Sequence, residues 1–161
     1  VSGFTQGVQP IMSYNFGAGN TERVKKTYFT MLGIVMAYTI LLTISIMAVP
    51  GVFARMFTDS TELILLVEKI MPVFVCGMLV FGVQMSSQTT FLALGQAKIS
   101  LFIALLRKVI LLIPLAIILP KLTGDVMFIY YAEPISDVTS AVTCGILFAC
   151  LFGKILKRSK S

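Results

Sequence analysis

The chain contains no histidine and no Cys-x-x-Cys pair. The first absence removes the commonest general base. The three cysteines, Cys76, Cys144 and Cys150, all lie in apolar runs, where they read as small apolar residues rather than zinc ligands. G-x-S-x-G, H-E-x-x-H and a phosphate-binding G-x-x-x-x-G-K are also missing. Gly17-Ala18-Gly19 is not a nucleotide loop, because no strand pattern precedes it. With no catalytic constellation, the chain is not expected to be an enzyme, and no metal or cofactor is expected. The most informative shortage is charge, at 12% of residues, where soluble domains carry roughly 25%.

What replaces charge is apolar sequence. Hydrophobic residues make up 57% of the chain, and the mean hydropathy is +0.95. They fall into long runs, Thr27–Val49, Ile70–Leu94, Ser100–Leu119 and Tyr131–Gly153, each near the ~20 residues that cross a hydrocarbon core. Residues 1–16 read as the end of a fifth span. The expected fold is an all-α membrane protein, a polytopic transmembrane helix bundle of about five spans. The first residue is Val1, inside a helical pattern and without a signal-peptide n-region, so a fragment of a longer chain is expected.

The net charge of +6 does not point to nucleic acid, because the basic residues flank the apolar runs. Arg23, Lys25 and Lys26 follow the first segment, Lys98 sits in the third connection, and Lys154, Lys157, Arg158 and Lys160 form the tail. The alternate connections hold only Arg55, Lys69 and Lys121. The positive-inside rule therefore places the first connection, the third connection and the C-terminus in the cytoplasm. Residues 1–153 form the membrane part, and residues 154–161 a basic, mobile cytoplasmic tail.

The first segment, GFTQGVQPIMSYNFGAGN from Gly3 to Asn20, is unusual for a lipid-facing helix. Ser2, Thr5, Gln6, Gln9 and Ser13 form one helical stripe. Gly3 and Gly7 allow close approach of a second helix, and Pro10 predicts a kink. A kinked, polar-striped helix suits the wall of a water-filled path. The helix should stop near Phe16, with Gly17 and Gly19 supplying a left-handed cap. The second span, from about Val24 to Pro50-Gly51, holds Thr39, Thr43 and Ser45, which hydroxyl-to-carbonyl bonds can satisfy; it reads as a scaffold helix. Residues 52–62 read as a short interfacial segment around Phe53, Met56 and Phe57. Asp59 and Glu62 resemble a capping box for a long helix, roughly Thr61–Leu94, made easy to bend by Pro72, Gly77 and Gly82.

Gln84, Ser87, Gln88 and Phe91 share one face of that helix. Amides at membrane depth need partners or water. They are either hydrogen-bond glue between helices or part of a cavity wall. Arg107 and Lys108 lie inside the next span, with Arg107 roughly 13 Å beyond Lys98 at 1.5 Å per residue. Either the stretch before them lies in the interface, or Arg107 faces an inner aqueous cavity. In the last span Glu133 and Asp137 share a face with Ser140 and Cys144, with Pro134 beside them. Asp137 lies about two turns inside. It is either part of a coupling-ion path, since a carboxyl at that depth can exchange a proton, or a hydrogen-bond partner between helices. Glu133, nearer the outer water, reads as an interface residue.

The segment GFTQGVQPIMSYNFGAGNTERV resembles the signature of multidrug and toxic compound extrusion (MATE) transporters, in particular the bacterial multidrug branch. The resemblance continues through Met56-Phe57-Thr58-Asp59, Phe91-Leu92-Ala93-Leu94-Gly95, Leu106-Arg107, Ile113-Pro114-Leu115, Leu119-Pro120 and Glu133-Pro134-Ile135-Ser136-Asp137. It implies twelve spans in two lobes, with this chain supplying spans eight to twelve and its C-terminus in the cytoplasm, within a bacterial-type inner membrane. The implied activity is export of drugs and amphipathic organic cations by alternating access, driven by proton or sodium influx. Some members carry an aspartate in the tenth span. Here the interior of that span has no carboxylate, and Gln84 and Gln88 are its strongest polar groups.

The leading expectation is thus a multidrug antiporter fragment. Gln6, Gln9, Ser13, Gln84 and Gln88 would line a cavity together with Asp137. Met12, Met85 and Phe91 would give adaptable apolar contact, and Asp137 is the candidate for ion coupling. Its partners would be small-molecule drugs, membrane lipid and the missing N-terminal lobe. Without that lobe the segment is not expected to fold stably, because its polar stripes would face lipid. A flippase for lipid-linked sugars is the alternative within the same architecture, disfavoured because only Arg107 and Lys108 are deep. A non-transporting scaffold subunit would not need two polar stripes and a buried acid.

Overall fold

The computed structural model describes residues 1–158, so Lys160 of the basic tail lies outside them. Among the described residues there are helices and no strand. They are α1 (Ser2–Gly17), α2 (Thr21–Ala48), α3 (Pro50–Arg55), α4 (Thr61–Cys76), α5 (Met78–Ala93), α6 (Ala97–Leu105), a π-helical segment (Leu106–Leu112), α7 (Ile113–Thr123), a 3-10 turn (Val126–Phe128) and α8 (Ile129–Arg158). Helix is the form that pairs every backbone N–H and C=O within one apolar run, as a bilayer demands. Four stretches have the length and apolarity to cross a membrane: Thr21–Ala48, Thr61–Ala93, Ala97–Thr123 and Ile129–Lys157. The chain is an integral, all-α polytopic bundle. The expected fifth span is the 16-residue α1, which at ~24 Å falls short of a ~30 Å hydrocarbon core.

The turns are where glycine placed them. After α1, Gly19 takes φ +73°, and the Asn20 N–H reaches back to the Asn15 carbonyl at 2.8 Å. After α5, Gly95 takes φ +72°, and the Gln96 N–H reaches the Phe91 carbonyl at 2.8 Å. Both are the same left-handed stop. The long helix expected over Thr61–Leu94 is broken at Gly77 into α4 and α5. Its cap is Ser60, without a side-chain cap bond, so the Asp59–Glu62 capping box does not form. The interfacial segment is present as α3, followed by fully projecting Met56 and Phe57.

α5 is the central helix. It packs on α1, α2, α6 and α8. Gly82 is the closest approach to α2, where a methyl group would sit 3.2 Å from Thr39 Oγ1 and 2.8 Å from Met36 Sδ. Beyond it, towards the α5–α6 turn, an aromatic cluster fills the core. Tyr28 stacks on Phe148 at 4.3 Å, Phe148 stacks on Phe152 at 4.4 Å, and Phe91 meets Phe148 edge-on at 5.5 Å. Val24, Leu94 and Leu156 form a second, adjoining cluster with Phe16. That cluster gathers the α1–α2 turn, the α5–α6 turn and the end of α8, so the three segments that the charge count groups together share one end of the bundle. α8 runs unbroken through Lys154 to Arg158.

Candidate functional site

Charged side chains of two membrane-spanning helices gather where α8 meets the π-helical segment. In a π-helix each turn holds an extra residue, and such turns occur mostly as single insertions at functional sites. Here seven residues are π-helical, and Pro114 just beyond supplies no N–H to the turn behind it. Arg107 and Lys108 occupy the start of this wide turn. Opposite them, Glu133 and Asp137 lie one turn apart on α8.

The four charges pair. Arg107 Nε donates to Asp137 Oδ1 at 2.6 Å. Arg107 also lies 3.6 Å from Glu133 Oε1, and Lys108 Nζ donates to that same oxygen at 3.3 Å. Two cations face two carboxylates, so the cluster is neutral as a group. Asp137 is the most enclosed, its side chain 6% exposed against 15% for Arg107 and 55% for Lys108. The guanidinium also lies over the Phe81 ring, 4.7 Å from its centroid. Ser136 Oγ donates to the Arg107 backbone carbonyl at 2.7 Å, tying the π-helical backbone itself to α8. Gly77 makes room for this arrangement. A methyl there would lie 3.1 Å from both Asp137 Oδ2 and the Pro134 Cα.

From Asp137 a polar seam runs along the α5–α8 contact. Cys144 Sγ lies 3.9 Å from the Gln84 carbonyl, and Ser87 Oγ meets the Tyr28 hydroxyl at 3.2 Å. Gln84 Oε1 and Ser140 Oγ are buried with no partner among the described residues. Buried polar atoms in this state are costly unless water reaches them.

The expected cavity residues occupy several different settings. On α1 the polar stripe divides. Thr5 is buried, whereas Gln6 and Ser13 are exposed and Gln9 is partly so. Ser13 Oγ can donate to the Ala93 carbonyl at 3.0 Å. Gly3 and Gly7 have open space around them, so among the described residues no helix uses the close approach they permit. Gln84 and Phe91 are fully enclosed, Met12 likewise, and Met85 is partly exposed. Gln88 Nε2 donates to the Ser100 carbonyl at 3.3 Å, which ties α5 to α6. Between α1 and α2 a groove of ≈ 440 Å³ opens, with Phe4 and Ile11 on one side and Arg23 and Lys26 on the other.

Arg107 is held by Asp137, a partner that neither sequence reading of Arg107 named. The signal was present in the sequence, as two adjacent cations in one apolar run and two carboxylates four apart in the next. A balanced pair of pairs at membrane depth implies contact. Tyr28, Ser87 and Ser136 carried no such signal. Among the described residues no three His, Cys, Asp or Glu side chains come together as a metal site.

A family model described as MatE matches residues 1–118. No curated protein matches the chain. A solved structure designated protein A superposes with a TM-score of 0.84 at 30% identity, covering 91% of this chain and 33% of that one. The chain therefore spans about a third of the length of that structure.

Proposed function

The chain belongs to the MatE family of membrane transporters, and from that premise we propose that it is the C-terminal-lobe portion of a gradient-driven exporter of drugs and amphipathic organic cations, with proton or sodium influx as the driving force. The observation that carries this reading is the Arg107–Asp137 pair, an ionisable couple at 2.6 Å inside a membrane-spanning bundle. Charges in such a place are costly, and they are kept where a charge is moved or exchanged. Asp137 is the group assigned to coupling.

The cargo path lies on the open side of α1, beside the exposed Gln6 and the half-buried Gln9, with Ser13 at its edge against the Ala93 carbonyl; Gln88, turned to the Ser100 carbonyl of α6, and Met85 lie on other faces of α5. Gln84 and Phe91 are enclosed in the core. The second lobe of the complete protein closes the path, and the basic end of the bundle faces the cytoplasm. A flippase for lipid-linked sugars is disfavoured, because Arg107 and Lys108, the deep cations a pyrophosphate needs, already face carboxylates.

The test is ethidium accumulation in cells expressing the complete reading frame, with and without a protonophore. Low accumulation that rises when the gradient collapses supports a proton-driven drug exporter. Accumulation equal to that of empty-vector cells, with the protein confirmed in the membrane, overturns it. Asp137→Asn keeps the side-chain shape and an acceptor for Arg107 but cannot carry a proton. It should abolish the protonophore-sensitive difference at unchanged membrane abundance.

A further inference from the structure

Two consecutive membrane helices lose their regularity at one level, beside a proline in the third, which stays helical. Gly77 breaks the first into α4 and α5. The π-helical segment divides the second into α6 and α7. Pro134 removes an N–H from the third, inside α8. These points touch one another. A methyl at Gly77 would lie 3.1 Å from the Pro134 Cα, and Arg107 binds Asp137 and, through its carbonyl, Ser136. Kinks in helices arise at such features rather than at random.

The second of these helices also changes neighbours at its break. α6 packs on α5, fastened by Gln88 to the Ser100 carbonyl and by Ile103 in the aromatic core. The π-helical segment and α7 pack instead on α8. α6 is therefore part of the hydrocarbon-packed core, while α7 is held to the bundle at the charge cluster. α7 has no fully buried side chain, so its packing alone fixes its angle weakly. Direct ties at its inner end are the Arg107–Asp137 ion pair, the Ser136 bond and the Lys108–Glu133 contact.

We propose that the Ala97–Thr123 membrane helix is a two-part lever hinged at Leu106–Leu112, and that Arg107 is a positioning residue whose grip on Asp137 is the clasp fixing the outer part, α7, against α8. Asp137 released from Arg107 frees α7 to tilt while α6 stays in place. The inference goes beyond the transport reading and does not depend on which cargo or ion is moved. Only the position of α7 is at issue.

The experiment uses the complete protein in lipid nanodiscs, with Cys76, Cys144 and Cys150 replaced by serine or alanine. Spin labels go on Leu122, at the far end of α7, and Val142, on α8 beyond the cluster; both are exposed. A second labelled pair, Phe29 on α2 and Leu101 on α6, reports on the core and is likewise exposed. Arg107→Gln should broaden or shift the first distance by about 6 Å, the displacement of a ~16 Å helix tilting by ~20°, while the second stays unchanged. Arg107→Lys, and the exchange of Arg107→Asp with Asp137→Arg, should restore a narrow distribution. Should Arg107→Gln yield too little protein, Asp137→Ala is read in the same way.

An unchanged first distance overturns the hinge. Movement of both distances overturns it too, because the pair would then hold the whole bundle together rather than one lever. Absence of ethidium export from the complete protein would leave the distance result untouched, so the two readings fail separately.

Discussion

Two levels of this bundle are held together in different ways. At the basic end Tyr28, Phe91, Phe148 and Phe152 interlock with Met31 and Ile103, and the helices are continuous. Further along, within the spans, the helices are interrupted at Gly77 and at Leu106–Leu112, and polar ties join them, with Arg107–Asp137 the tightest. Hydrocarbon packing is spread over many contacts, each weak, so it tolerates no single alternative arrangement. An ion pair is one strong contact that a proton or a competing ion can cancel. The first kind of cohesion makes a scaffold. The second makes a place where a structure can be switched.

That contrast can be broken by substitution. The largest effects are expected from Phe91→Ala, costing about 3–5 kcal/mol by leaving a cavity, and from Asp137→Ala, which costs less, about 2–3 kcal/mol, by leaving the half-buried Arg107 guanidinium only its longer contact to Glu133. They should differ in rescue. Combining Arg107→Met with Asp137→Leu should recover most of the loss seen in Asp137→Ala, since a buried pair replaced by apolar groups is often neutral. Enlarging neighbours of Phe91 should recover much less. Unfolding in detergent, followed by helix content, measures all of these; failure of the double variant to recover would mean that the cluster, too, is scaffold.

A smaller effect is expected from Gly77→Ala. The added methyl meets the Pro134 backbone at 3.1 Å, and backbone does not give way cheaply, so a loss of about 1–3 kcal/mol is expected. Gly82→Ala, at the α5–α2 contact, meets the flexible end of Met36 as its nearest atom, so it should cost less than Gly77→Ala in the same assay. The smallest effect is that of Tyr28→Phe. It removes the hydroxyl from Ser87 but keeps the stack on Phe148, for a loss of about 1 kcal/mol. A loss as large as that of Phe91→Ala would show that the polar seam, not the rings, holds the basic end.

The membrane class was legible because it rests on composition. Long apolar runs with little charge have one stable form in lipid. The turn at Gly19 and a weak point near Gly77 were legible too, because glycine and proline act on their own backbone. Asp137 stood out because a carboxylate is rare at that depth. What could not be read is which face of each helix meets which neighbour. Thr5 and Gln6 are adjacent members of one stripe, yet one is buried and the other exposed. Gln84 and Gln88 share a helix face, yet Gln84 is enclosed while Gln88 reaches α6. Periodicity fixes a stripe to within a helix turn, but the neighbours decide how that stripe is divided.

By itself, then, the sequence determined that these residues span a membrane as helices, where those helices turn, and which residues carry charge at depth. These follow from local backbone chemistry and from the free energy of placing each side chain in lipid. Only the tertiary structure decided that Arg107 faces Asp137, that Phe91 closes a core, and that two helix irregularities meet Pro134 of α8 at one level. Such pairings lie about 30 residues or more apart in the chain, and each is set by how neighbouring helices pack, which no local pattern records.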